Sequence, residues 1–350
     1  MTEKKTIAVI FGGCSPEYGV SLQSAHAVIS CMDKLKFEPV LIGITRQGDW
    51  FHFCGDIDKI LADTWQNEED CVPVAVSPSR SDHALLEFTE NTVRKLPIDM
   101  AFPVLHGRNG EDGTVQGMFE LAGISLAGCG VLASALCMDK DRAHKLAHCA
   151  GIAVPRSFTL GKSMDIESVI SQAEQIGYPL FVKPVNAGSS FGVTKVQNRN
   201  ELSPAIRLAF EYDETVIVEE SISGFEVGCA ILGTGELTIG EVDEIELADG
   251  FFDFTEKYTL KTSAIHVPAR IDAATSERIK QAAKTVYQAL DCRGFARVDM
   301  FLTDCGEIVF NEVNTIPGFT AHSRFPNMMK AIGMDFETII SKAIELAMQR

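Results

Sequence analysis

Apolar residues along this chain fall into two patterns. Short runs rich in β-branched and aromatic side chains predict buried strands over Thr6–Phe11, Val40–Ile44, Met100–Leu105, Leu180–Pro184, Val193–Val196, Val216–Glu220, Val227–Leu232 and Leu237–Ile245. Longer stretches with helical spacing predict helices over Val20–Met32, Val115–Leu121, Ala135–Ala150, Thr275–Leu290 and Phe336–Met348. The opening strand, Gly12-Gly13, a helix and a second strand make a β-α-β start, which predicts an open parallel α/β sheet. Residues 52–95 have mixed polarity and weak periodicity. A new unit is expected to begin near residue 135.

Two late strands interrupt their apolar pattern with polar residues at alternate positions. Arg297 and Asp299 share one strand face, as do Glu312 and Asn314. An Asp, a Glu and an Asn on neighbouring strands are hard oxygen ligands suited to Mg²⁺. A solvated surface hairpin is the alternative. The runs Phe301-Leu302 and Ile308–Phe310 argue against it, because they bury the strands and make unpaired carboxylates costly.

The formal charge of −17 argues against nucleic acid or an anionic membrane as a partner, since both need a basic face. No apolar run is long enough to span a bilayer, and no secretory leader is expected. The ten cysteines show no C-x-x-C spacing, so neither a zinc site nor a redox motif is expected. A cytoplasmic location follows as the expectation. Cys14, in a glycine-rich loop, is read as an incidental thiol.

Two loops carry further chemistry. His106-Gly107-Arg108-Asn109-Gly110-Glu111-Asp112-Gly113 follows a predicted strand, where open α/β sheets bind ligands. It is either a site loop or a tight turn with solvated charges. Lys183 ends another strand and precedes Asn186-Ala187-Gly188-Ser189-Ser190-Phe191-Gly192. Backbone N–H groups and hydroxyls there could wrap a triphosphate beside the lysine, although a plain hairpin reads similarly. It is not a P-loop, and G-x-G-x-x-G is absent.

Taken in order, these segments resemble the D-alanine–D-alanine ligase family. The matching pieces are Phe11–Glu17, Leu105–Gly113, Cys137–Lys140, Lys183-Pro184 with Gly188–Ser190, Glu256–Tyr258, Arg297–Asp299 and Asn311–Thr320. The resemblance implies an ATP-grasp fold behind the N-terminal α/β domain. It divides the chain at 1–134, a central lid subdomain at 135–219, and a catalytic part at 220–350 with a closing loop at 248–262. It further implies ATP as co-substrate, Mg²⁺ or Mn²⁺ as cofactor, two D-amino acids as substrates, and a homodimer.

By the same resemblance Glu17 receives the ammonium of the first D-alanine, and Ser189 and Tyr258 hydrogen-bond with it. His106 lies near that substrate's carboxylate. Lys140, Lys183 and Lys257 contact phosphates, while Glu219, Glu220, Ile222, Glu226 and Phe251 surround adenine and ribose. Asp299, Glu312 and Asn314 hold the metal. Arg297 and the Gly318 N–H stabilise the oxyanion, and Ser323 grips the second substrate's carboxylate.

Gly19 and Glu220 depart from the family pattern. Arg324 stands where D-alanine–D-alanine ligases usually have an apolar residue, and with Phe252 and Tyr258 it resembles the vancomycin-resistance members that join D-alanine to D-serine. The expectation is therefore a D-alanine–D-serine ligase, with Arg324 pairing with the serine hydroxyl. The alternative is that Arg324 faces solvent and the second substrate is D-alanine. Another ATP-grasp carboxylate–amine ligase and a non-catalytic nucleotide sensor are the remoter alternatives.

Overall fold

The computed structural model describes residues 4–67, 69–188, 190–247 and 263–349. Its strands form three sheets in chain order. In the first, Phe37–Ile44, Lys5–Gly12, Met100–Pro103 and Ser125–Leu126 lie side by side and parallel. From Lys5–Gly12 the chain passes through helix Tyr18–Cys31 to Phe37–Ile44 on one side, while Met100–Pro103 lies on the other. Such a reversal opens a crevice at the C-terminal strand ends. The loops 13–17 and 104–113 both start there.

The weakly periodic segment supplies an antiparallel extension to that sheet. Trp50–Phe53, Cys71–Val76, Ala84–Phe88 and Val93–Pro97 add in order beside Phe37–Ile44. The sheet is thus mixed rather than wholly parallel. The outermost strand is largely exposed on both faces, so it has little apolar alternation to display.

The second sheet pairs Thr194–Val196, Leu180–Pro184, Thr215–Glu220 and Ser157–Gly161, all antiparallel. Helices Ile166–Ile176 and Arg199–Ala209 cover it. They build a separate core around Val169, Leu180, Val182, Leu202 and Val218. The third sheet is antiparallel in the order Ser263–His266, Glu236–Leu247, Phe225–Thr234, Phe295–Leu302, Ile308–Asn314. Helices Val131–Met138, Lys140–Cys149 and Ala273–Ala289 pack with it.

The single helix expected over 135–150 is two. Asp139 is extended, and its carboxylate accepts the Arg142 N–H at 2.9 Å, capping a new helix that starts at Lys140. Asp335 caps Phe336–Met348 in the same way. Among the described residues no helix is long and apolar enough to cross a membrane.

An aromatic seam joins the first and third sheets. Ring centroids of Phe102 and Phe295 are 6.1 Å apart, Phe295 and Phe319 5.1 Å, and Phe319 and Phe325 5.4 Å. The helices Arg324–Ala331 and Phe336–Met348 complete this shared core. Phe295 is fully buried within it. Phe295→Ala is therefore expected to lower the unfolding free energy by about 3–5 kcal/mol. Urea denaturation checks this, and a loss below about 1 kcal/mol would show that the seam does not join the sheets.

Candidate active site

A cleft of about 750 Å³ opens where the three sheets meet, lined among others by Glu17, His106, Lys140, Gly188, Glu312 and Arg324. Glu17 is the N-cap of helix Tyr18–Cys31, yet its carboxylate makes no capping hydrogen bond. It lies in the cleft wall between two glycines. A Cβ on Gly107 would come within 2.5 Å of Glu17 Oε2, and one on Gly188 within 3.1 Å. The loop that precedes Ser189 therefore lies directly over Glu17. Gly19, the departure near it, has open space around its Cα.

His106 is buried, with Nδ1 2.9 Å from the Ile316 carbonyl and Nε2 3.4 Å from Ser24 Oγ. A carbonyl only accepts, so Nδ1 carries the ring proton. Burial lowers the pKa of His106 and favours the neutral ring. Glu111 lines the same cleft. Burial, and then the nearby Glu17 carboxylate, push its pKa up to about 8.

The expected nucleotide contacts lie on the central sheet. Lys183 pairs with Glu219, which is buried and whose Oε2 has no hydrogen-bond partner. Glu220 points elsewhere and takes a fork from Arg156 Nε and N–H, both at 2.8 Å. Ile222 is half-buried in the turn before Phe225–Thr234. Lys140 links the parts: its Nζ donates to the Ala187 carbonyl at 2.7 Å and lies 3.8 Å from Glu312 Oε2.

In the third sheet the two polar strands become one ladder. Arg297 is paired with Asn314, and Asp299 with Glu312, so all four side chains share one face. Arg297 forks onto Asp299, with Nε to Oδ1 at 2.8 Å and Nη2 to Oδ2 at 2.7 Å. Asn314 Nδ2 donates to Asp299 Oδ2 at 2.9 Å. Gly318 and Ser323 lie at the cleft, and Ser323 Oγ accepts the Thr320 N–H at 3.0 Å.

Arg324 does not face solvent. It is buried, and Nε and Nη2 reach the two oxygens of Asp243 at 2.7 and 2.8 Å. Nη1 donates to Glu226 Oε1 at 2.8 Å and lies 3.4 Å from Asp299 Oδ1. Gly228 makes room for this: a Cβ there would stand 2.4 Å from Nη2 and 2.7 Å from Asp243 Oδ1. Sequence reading missed Asp243. Asp243 stands among Glu241, Glu244 and Glu246 on one acidic strand, so nothing local marked it as a buried member that needs a cation. Ser189, Phe251, Phe252, Lys257 and Tyr258 lie outside the described residues.

The state of His106 has a testable consequence. Its folded pKa lies below the ordinary 6.5, so above that pH both states are neutral and no penalty arises. As pH falls below 6.5 the unfolded chain takes up the proton first, and stability is lost. His106→Asn keeps a donor for Ile316 and removes the titration. Between pH 7 and 5, urea midpoints should fall further for wild type than for the variant. Parallel curves would contradict a neutral buried ring.

Comparison with known proteins bears on the whole chain. A family model described as D-ala D-ala ligase N-terminus matches residues 6–129, and one described as D-ala D-ala ligase C-terminus matches residues 146–345. The vancomycin C-type resistance protein VanC1 of Enterococcus gallinarum is 44% identical over 98% of each chain. A D-alanine–D-alanine ligase of Caldicellulosiruptor bescii is 42% identical, over 100% of this chain and 96% of its own. The crystal structure of the VanG D-Ala:D-Ser ligase from Enterococcus faecalis superposes with a TM-score of 0.92 at 59% identity, covering 99% of this chain and 100% of its own. With a cleft that gathers the buried Glu17, Lys140 and the Glu312 and Asn314 edge of the polar ladder, and with these matches from end to end, the chain belongs to the D-alanine–D-alanine ligase family of ATP-dependent ligases.

Proposed function

We propose that this ligase joins D-alanine to D-serine through a D-alanyl phosphate intermediate. Arg324 carries the reading: it is a buried guanidinium lining the cleft beside Ser323, and its five N–H groups exceed its three bonds to Asp243 and Glu226. A serine hydroxyl meets a fixed donor there. An alanine methyl would leave that donor unsatisfied, a difference of about 1–3 kcal/mol. The likeness to a D-Ala:D-Ser ligase at 59% identity supports the same substrate.

In the first step a carboxylate oxygen of D-alanine bonds to the γ-phosphorus of ATP, and the bond to the ADP oxygen breaks. In the second, the deprotonated amine of D-serine bonds to the acyl carbon, and the C–O bond to phosphate breaks. Glu17 holds the first ammonium, and Lys140 and Lys183 bear on the phosphates. Glu219 Oε2, buried without a partner, would accept from the adenine amino group. Arg297 and the Gly318 N–H face the developing oxyanion.

The donor set fits a divalent ion. Asp299 and Glu312 offer carboxylates, and an amide flip at Asn314 would turn its carbonyl toward them, leaving further positions for phosphate and water. These three residues would hold Mg²⁺ or Mn²⁺, which would neutralise charge on the transferring phosphoryl group. Glu312→Gln should lower turnover at least about a hundredfold, the effect of losing several kcal/mol of charge stabilisation, with melting unchanged. Wild-type turnover in a folded variant would remove Glu312 from the metal set.

The substrate assignment is tested by competing D-serine against D-alanine at the second position. Wild type should favour D-serine by about ten- to a hundredfold in kcat/KM. Arg324→Leu alone would strand Asp243 as an unpaired buried charge, at about 3–5 kcal/mol. The informative variant is therefore Arg324→Leu with Asp243→Asn, which should narrow or invert the preference. A wild-type preference for D-alanine would make this a D-alanine–D-alanine ligase instead.

A further inference from the structure

The loop after Met100–Pro103 in the first sheet and the loop after Ile308–Asn314 in the third meet at one residue, Ile316. The Ile316 N–H donates to Glu111 Oε1 at 3.0 Å, and the Ile316 carbonyl lies 2.9 Å from His106 Nδ1. The other oxygen of Glu111 accepts the Gly107 N–H at 2.9 Å. One carboxylate thus holds a backbone N–H from each loop. Ser24 adds a second bridge: its Oγ accepts the Phe319 N–H at 3.3 Å and lies 3.4 Å from His106 Nε2.

We propose that Glu111 is a positioning residue, fixing the acyl-donor half of the site against the acceptor half through the backbone of Ile316. On one side of this joint stand Glu17 and His106. On the other, a few residues beyond Ile316, stand Gly318 and Ser323. The clamp therefore sets the distance between the acyl carbon and the attacking amine. That distance is about 3–3.5 Å in a productive complex, and a displacement of about 1 Å costs about a hundredfold in rate.

A carboxyl group suits this place because each of its oxygens can accept one N–H, and when burial keeps the group protonated its O–H can turn away from both. An amide of the same shape has one acceptor, and its NH₂ would face the other N–H. Glu111→Gln therefore breaks one half of the clamp at nearly constant volume. The acylphosphate, once formed, would then wait longer for the amine and be lost to water.

This inference rests on the ligase reading, and one experiment separates the two. Purified wild type and Glu111→Gln are given ATP, Mg²⁺, D-alanine and D-serine, and ADP and dipeptide are measured separately, alongside melting and ATP affinity. Wild type should release one ADP per dipeptide. The variant should bind ATP within about twofold of wild type while kcat for dipeptide falls about ten- to a hundredfold. ADP should then exceed dipeptide, and KM for D-serine should rise more than KM for D-alanine. A folded Glu111→Gln that keeps one ADP per dipeptide and its kcat overturns the proposal. So does activity that falls only in proportion to the folded fraction. If that variant does not fold, Ser24→Ala, which removes the parallel bridge, must show the same uncoupling to a smaller degree. Fully coupled turnover there also overturns it. A wild type that makes no dipeptide overturns the ligase reading itself.

Discussion

Asp299 sits in the middle of a sheet, buried between apolar neighbours, and it can remain ionised there only if surrounding groups replace water. Arg297 and Asn314 supply hydrogen bonds to it, and Arg324 stands beside it. Arg324 in turn is balanced by Asp243 and Glu226. Each charge in this chain of contacts is tolerable because the next one is present. A buried pair contributes little net stability over an apolar equivalent, but removal of one member is costly. The network therefore fixes side-chain positions more than it adds stability.

That network also joins parts of the reaction. Glu226 is expected at the ribose, Asp299 at the metal and Arg324 at the second substrate, and one guanidinium touches both carboxylates. A change at the proposed acceptor pocket is thus a change in the surroundings of the proposed metal ligand. Gly228 is part of the same constraint, because only a residue without a Cβ leaves space for Arg324 over its strand.

The three sheets are held differently. The first and third share an aromatic core and are further tied by the hydrogen bonds at Ile316. The second keeps a core of its own, built from residues between Phe158 and Val218. Lys140 reaches it from the helix that packs on the third sheet, through the Ala187 carbonyl. The first and third sheets are consequently set by packing and by the backbone of Ile316, while the loop after Leu180–Pro184, proposed to bind phosphate, is met by Lys140 through polar contacts.

Much of this was determined by the sequence alone. Strong periodicity placed Leu180–Pro184 and Phe336–Met348 at their observed bounds, because each buries one face in a single environment. Alternation placed Arg297 with Asp299, and Glu312 with Asn314, on common faces. Where burial is slight the pattern failed: Val93–Pro97 is an edge strand without an apolar face, and Asp139 divides a run whose apolar spacing looked continuous. Only the tertiary structure put the two polar strands on one face, since register between strands is not written in either strand. Only it showed that Arg324 is enclosed by Asp243 and Glu226, and that Glu111 and His106 hold Ile316. These partners lie far apart in the chain, and a side chain's surroundings are decided by which distant surfaces the shared core brings together.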